Sequence, residues 1–206
     1  DILDIGSEST RPGFVPVSVQ EEIKRVVPII EKLAAELSVP ISIDTSKSEV
    51  AREALKAGAT ILNDVWGLKR DLEIGRLAAT KNVPIILMSN QRDKGGYDSQ
   101  IKRDTSFYAN VMAEVIASLR QSLETALKLG VSRENVILDP GIGFGKTWQQ
   151  DLEIIRRLNE LKVLGRPVLG GASRKSFIGK VLDVTAGDRK EGDAAVLLVS
   201  EQYQEG

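Results

Sequence analysis

"PISIDTSKSEVAREALKAGATILNDVWG", residues 40–67, decides the fold. "PISID" (40–44) is a short apolar run that stops on an acid. "SKSEVAREALKAG" (46–58) reads as a helix closing on Gly58, a residue suited to the left-handed position after a last turn. "TILND" (60–64) is a second apolar run, and it also stops on polar residues. Two strands joined by one helix make a parallel pair with a right-handed crossover.

The same unit repeats in both directions. Strand-like runs are "DILDI" (1–5), "PIILM" (84–88), "NVILD" (135–139) and "RPVLG" (166–170), which with the two above make six. Four are rich in Ile, Val and Leu without strict alternation, as strands buried on both faces are. Helical stretches alternate with them: 18–37, 46–58, 71–82, 104–130, 151–165 and 176–184. In the first, Ser18 is set to cap, Glu21 to complete a capping box and Pro28 to kink the axis. No GxGxxG follows the first strand, and polar, Gly-rich clusters follow at least five strands rather than one switch point. That distribution points to an α/β fold of the (β/α)8 TIM-barrel type. A barrel needs eight strands and about 250 residues, so residues 1–206 read as a single barrel domain incomplete at both ends. On this reading the first β/α unit and the last strand, with or without its helix, are expected to be missing from it. The irregular stretch 89–104 reads equally as a lid or as a solvated loop.

Composition narrows the chemistry. With 28 basic and 29 acidic residues the net charge is −1, which gives no electrostatic case for nucleic acid or an anionic membrane. No uncharged apolar run is long enough for a transmembrane helix. The opening "DILDIGSEST" has no basic start of a signal peptide. No cysteine fits a cytoplasmic setting, and no histidine excludes imidazole catalysis. A zinc site is not expected.

The strand-end clusters each admit two readings. "DIGSESTRPG" (4–13) offers Thr10 and Arg11 to an anion, but taken alone it reads rather as a polar βα loop closed by Pro12-Gly13. Asp44 in "SIDTSK" (42–47) is a pocket acid or a helix cap. Asn63 and Asp64 in "LNDVWG" (62–67) read a heterocycle edge or close an Asx turn. "ILDPGIGFGKT" (137–147) is more specific: Asp139 can accept two N–H bonds from an amidine-like edge, and three glycines alternate with Ile142 and Phe144. Its spacing is not that of a Walker loop. In "GGASRKSFIG" (170–179), Gly170 and Gly171 let backbone approach a flat ligand. Ser173, Arg174 and Lys175 open a helix, where two cations oppose the dipole unless a ligand offsets them.

Taken in order, these five clusters resemble the dihydropteroate synthases, the folate-pathway enzymes that sulfonamides inhibit. The resemblance covers nearly the whole chain and implies a transferase. That enzyme joins 4-aminobenzoate to 6-hydroxymethyl-7,8-dihydropterin diphosphate and releases pyrophosphate with Mg2+ present. It implies that Asp44, Asn63, Asp139 and Lys175 hold the pterin and that Met88 lines its pocket. Thr10 and Arg11 belong to a loop over the diphosphate and aminobenzoate. Pro12, Phe144, Ser173 and Lys175 form the aminobenzoate side, braced by Arg174. Asp44, Asp139, Lys175 and Arg11 form the catalytic set. It also implies a cytoplasmic homodimer with neither nucleic-acid nor membrane partners. No metal ligand is assigned here, because the family's Mg2+-binding Asn lies before residue 1.

Departures are visible. Ser89-Asn90-Gln91-Arg92 stands where the family has His-Met-Arg after "PIILM", and "RKEGDAAVLLVSEQYQEG" (189–206) stands near its last Arg and His. The 206 residues alone are therefore expected to be inactive or poorly folded. Rival readings are a methyltetrahydrofolate-binding methyltransferase domain, a non-catalytic pterin-binding paralogue and a general phosphate-binding barrel.

Overall fold

The computed structural model describes residues 2–9, 15–90, 110–173, 175–185 and 187–205, with backbone alone at 198–199 and 201–205. Thr10, Arg11, Pro12, Arg174, most of the 89–104 stretch and the start of the expected 104–130 helix lie outside the described residues.

Five strands form one sheet: β1 Leu3–Gly6, β2 Ile41–Asp44, β3 Ile61–Asp64, β4 Ile85–Met88 and β5 Val136–Asp139. They are all parallel and stand in the order β1-β2-β3-β4-β5. A doubly wound sheet reverses its order at a switch point; this one never reverses. Stepping always in one direction is the winding of a (β/α)8 TIM barrel, and the sheet is an arc of it. The expected sixth strand, "RPVLG", is reduced to one parallel bridge between Leu138 and Val168. It makes two ladder bonds with Leu138, Leu138 N–H to Pro167 O (2.9 Å) and Leu169 N–H to Leu138 O (2.8 Å). Pro167 has no N–H to extend the ladder, and the residues beyond are the Gly170-Gly171 pair.

The helices are α1 Val19–Glu36, α2 Ser48–Ala57, α3 Glu73–Lys81, α4 Val111–Lys128, α5 Trp148–Arg156, α6 Ser176–Leu182 and α7 Lys190–Glu205. Ser18 caps α1 by accepting the Glu21 N–H at 3.2 Å, but the Glu21 carboxylate turns to Arg25 (2.8 Å), so only half of the expected box forms. α1 continues through Pro28. The full capping box belongs to α5, where Thr147 and Gln150 bond reciprocally, so that helix starts three residues before the expected 151. It ends at Arg156, and Leu158–Leu164 winds on as a 3-10 helix. α7 fills a stretch to which the sequence reading assigned no element.

A strand has two faces, and the helices cover one of them. Ile41, Ile43, Leu62, Ile85, Leu87, Val136 and Leu138 pack with helix residues such as Val26, Ile30, Val50, Ala54, Val115 and Leu119 in the main core. Each such aliphatic side chain contributes about 1.5–3 kcal/mol by burial. Ile61 and Ile86 are buried but stand apart from that core, on the opposite, inner face. β4 is buried throughout, as expected for a two-sided strand, whereas β1 and β5 alternate.

Gly58 and Gly130 test the helix ends. Both are left-handed, with φ of +117° and +92°. A Cβ at Gly58 would stand 2.6 Å from Ala34 Cβ, and at Gly130 3.7 Å from Ala79 Cβ. Gly130→Ala should cost about 1–2 kcal/mol, the backbone strain alone. Gly58→Ala should cost about 1–3 kcal/mol more, from overpacking against α1. Paired thermal or urea melts read the difference.

Candidate active site

Strand register assembles the site. Gly6 pairs with Asp44, Asp44 with Asn63, and Met88 with Asp139. The two-residue period sends these side chains to the inner face, with Asp4, Ser42, Ile61, Ile86 and Ile137. Four positions singled out in the sequence, Asp44, Asn63, Met88 and Asp139, thus share one face at the carboxyl ends of four strands.

The β1–β3 side is acidic. Asn63 Nδ2 donates to Asp4 Oδ2 at 3.1 Å, reaching across β2, and Ser42 Oγ bonds Asp4 Oδ1. Asp44 sits among these groups with Gly6 flush against it; a Cβ on Gly6 would be 3.1 Å from Asp44 Cβ. Burial, then the negative charges of Asp4, Asp64, Glu22 and Glu8, push the Asp44 carboxyl up to about 8. At neutral pH it therefore holds its proton and is both donor and acceptor.

Asp64, one residue past Asn63, faces the other way. It accepts the N–H groups of Trp66 (2.9 Å) and Leu68 (2.7 Å) and closes the turn in which Gly67 and Leu68 have positive φ. Burial pushes it up to about 6, against the pull of those two N–H groups. Asn63 and Asp64 thus divide the two readings between them, inner-face contact and turn closure.

The β4–β5 side joins an apolar wall to cations. Met88, Val65 and Trp66 form a small separate cluster with Phe144 against it. The Lys175 ammonium lies 4.4 Å from the centre of the Phe144 ring. Asp139 Oδ1 accepts the Gly141 N–H at 2.7 Å. Burial raises the Asp139 carboxyl to about 6, restrained by the Gly141 N–H and the positive charges of Lys175 and Lys146 and reinforced by Asp4. It is mostly ionised at neutral pH. Gly171 stands beside it; a Cβ there would be 3.8 Å from Asp139 Oδ2, an ordinary contact, so the protein itself does not demand glycine there.

Lys146 is a frame residue. Its ammonium donates to the carbonyls of Gly141 (2.8 Å), Ser89 (3.0 Å) and Phe144 (3.3 Å). At Gly141, with φ of +70°, a Cβ would collide with the Ser89 carbonyl, so this staple requires glycine. Ser89 and Asn90 are buried; Asn90 Nδ2 donates to the Val65 carbonyl at 3.2 Å.

Lys175 is itself the N-cap residue of α6 and makes no side-chain cap bond; its charge turns toward Phe144 and Asp139. Ser173 is exposed, and Gly170 is partly buried. Sequence reasoning missed Asp4, Val65 and Trp66. Asp4 was findable, because it lies two residues before Gly6 on the same face. Among the described residues no three Asp or Glu side chains are grouped to hold a metal ion. A groove of about 500 Å3 between α2 and α3, lined by Arg52, Lys56, Glu73 and Arg76 among others, also touches Ala59 and Val83 just before β3 and β4, and so lies at the amino ends of these strands, opposite the candidate site.

The raised Asp44 carboxyl makes a signed prediction. The folded chain keeps this proton up to about pH 8, while the unfolded chain releases it near 3.8. Unfolding therefore releases a proton in that window, and stability falls as pH rises through it. Asp44→Asn has no such proton, so its melting temperature relative to the parent should climb between about pH 5 and about pH 8.5. A pH-independent difference would refute the assignment.

Comparison with known proteins gives the family. The pterin binding enzyme family matches residues 1–203. The dihydropteroate synthase of Clostridium beijerinckii is 45% identical over 199 residues, which are 97% of this chain and 70% of that protein. Across the curated relatives in this range the chain spans between 61% and 70% of their length. A Clostridium difficile dihydropteroate synthase structure determined in the presence of pteroic acid superposes with a TM-score of 0.87 at 45% identity, covering 99% of this chain and 73% of that one. A Xanthomonas albilineans dihydropteroate synthase with 4-aminobenzoic acid gives a TM-score of 0.88 at 38% identity, covering 98% and 70%. The inner-face row of Asp44, Asn63, Met88 and Asp139 is therefore seated in a chain that belongs to the pterin binding enzymes and, within them, to the dihydropteroate synthase family.

Proposed function

We propose that residues 1–206 act as one pterin-binding barrel domain of a dihydropteroate synthase, a transferase that condenses 6-hydroxymethyl-7,8-dihydropterin diphosphate with 4-aminobenzoate. The observation that carries this reading is the single inner-face row with an ionised, buried acid at one end and Lys175 beside it. Asp139 accepts from the guanidine-like edge of the pterin. Asn63 and Lys175 meet the other ring heteroatoms, and protonated Asp44 donates to a ring acceptor. Met88, with Val65 and Trp66, supplies the apolar wall for the flat ring.

In the reaction the C–O bond to the diphosphate breaks and its electron pair leaves with pyrophosphate. The methylene cation that remains is conjugated with the pterin, so the Asp139 carboxylate at the ring's guanidine-like edge stabilises the charge that spreads into the ring. The aminobenzoate nitrogen then forms the C–N bond and loses its proton. No covalent enzyme intermediate is required, which suits a chain without cysteine or histidine. The family resemblance assigns Phe144, Lys175, Ser173 and Pro12 to the aminobenzoate side with Arg174 as its brace, and Thr10 and Arg11 to the diphosphate and aminobenzoate. Mg2+ would accompany the substrate diphosphate and neutralise part of its charge. Sulfonamides would occupy the aminobenzoate position. A cytoplasmic homodimer is part of the same reading. It is supported by the absence of cysteine and by exposed Val181, Leu182 and Leu197 on the late helices. No helix among the described residues is long and apolar enough to cross a membrane.

Calorimetric titration with the pterin diphosphate and Mg2+, followed by 4-aminobenzoate, tests the reading. The diphosphate should bind and enable the second ligand. Asp139→Asn should weaken the first binding by roughly 2–5 kcal/mol, the cost of unpairing a buried charge contact. Unchanged affinity in that variant overturns the role of Asp139, and no binding by the folded parent overturns the reading.

A further inference from the structure

Val65 and Trp66 stand on a turn that the chain would not adopt unaided. Gly67 and Leu68 both have left-handed φ, +60° and +64°. Glycine enters that region freely, but leucine does so only under strain. Leu68 is nonetheless buried in the main core, while Val65 and Trp66 belong to the separate cluster around Met88. The turn therefore divides its side chains between the helix layer and the pocket. Asp64 closes it from inside through the N–H groups of Trp66 and Leu68.

Asn90 and Ser122 reach the same turn from outside, and both are 2% exposed. Asn90, two residues past β4, donates from Nδ2 to the Val65 carbonyl at 3.2 Å. Ser122, on α4, donates from Oγ to the Gly67 carbonyl at 2.8 Å. A hydroxyl inside a helix can bond the carbonyl four residues back, as Thr125 on α4 does to Gln121 at 2.8 Å. Ser122 turns instead to a carbonyl 55 residues away in the chain. The fit is close: a Cβ at Gly67 would stand 2.7 Å from Ser122 Oγ and 2.8 Å from the Met88 carbonyl oxygen. One helical turn before Ser122, Ser118 Oγ accepts from the Lys69 ammonium at 3.0 Å. The turn is thus seated against the end of β4 and against α4 together. A buried carbonyl that loses its donor carries a desolvation penalty, so loss of either bond favours a shift of the strained turn.

We propose that Asn90 and Ser122 are positioning residues for the pterin ring: they hold turn 65–68 against the end of β4 and so keep Val65 and Trp66 in place as the ring's apolar wall. The role rests on the synthase reading, in which that wall meets the pterin. Neither side chain touches substrate in this scheme; both act through the backbone of the turn.

The test uses the full chain carrying Trp148→Phe, which leaves Trp66 as its one tryptophan. Trp148 is 38% exposed at the start of α5 and has none of the roles above. Ser122→Ala and Asn90→Ala are compared with this parent, and Thr125→Ala serves as the control that removes a hydroxyl from α4 without touching the turn. Acrylamide quenching of Trp66 fluorescence reads the turn. Calorimetric titration with the pterin diphosphate and Mg2+ reads the site, and both are measured well below the melting temperature. In Ser122→Ala and Asn90→Ala the quenching constant should rise about twofold or more. Affinity for the pterin diphosphate should fall about tenfold, because the wall is no longer pre-formed. Thr125→Ala should match the parent in both. Asn90→Ala leaves α4 intact and supplies the answer if Ser122→Ala does not fold. Unaltered quenching overturns the anchoring. Raised quenching with parental pterin affinity, or the same loss of affinity in Thr125→Ala, overturns the positioning role. Failure of the synthase reading is seen separately, as a parent that does not bind the pterin while Trp66 still responds to the variants; the anchoring then stands and its assigned role falls.

Discussion

A strand in this arc has two faces, and only one of them can meet the helices. The helix-facing residues, Ile43, Leu62, Leu87 and Leu138 among them, supply the main core. Their neighbours one residue away are turned to the interior of the curve, and there the sequence places Asp4, Asp44, Asn63, Met88 and Asp139. Fold and site are therefore not separable decisions. A slip of one residue in β1, β2 or β5 would drive Asp4, Asp44 or Asp139 into the helix layer and aliphatics into the pocket.

The same constraint sets an electrostatic problem with three local solutions. Burial raises Asp44, Asp64 and Asp139 alike. Asp64 is answered by two backbone N–H groups of its own turn. Asp139 is answered by the Gly141 N–H and the nearby charges of Lys175 and Lys146. Asp44 has acids for neighbours and answers by keeping its proton. Three chemically identical side chains thus become a turn closure, an anionic acceptor and a neutral donor.

Much of this was legible in the sequence, because it depends on local pattern. The alternation of short apolar runs with helical stretches gave the parallel arc, and the polar residue at each run's end gave Asp44, Asn63 and Asp139. What escaped depends on distance in the chain. The carbonyls held by Asn90 and Ser122 lie 25 and 55 residues away, and no local spacing announces them. Lys146 follows a glycine-rich run whose spacing is not that of a Walker loop, and nothing local announces that its ammonium is engaged by carbonyls, one of them 57 residues distant. "RPVLG" has strand composition but only a single bridge, because pairing requires a neighbour as well as a propensity. The start of α5 was a different kind of miss, since Thr147 and Gln150 carry the capping signal in plain view.

The Lys146 staple has a consequence for how the site's frame can be undone. A chain without cysteine has no disulfide to hold the ends of β4 and β5 together. One ammonium bonded to the carbonyls of Ser89, Gly141 and Phe144 does that work as a cross-link indifferent to redox conditions. Its vulnerability is chemical in another sense: acylation of a single nitrogen, which removes the charge and most of its donors, would release both loops at once where a reductant would release neither.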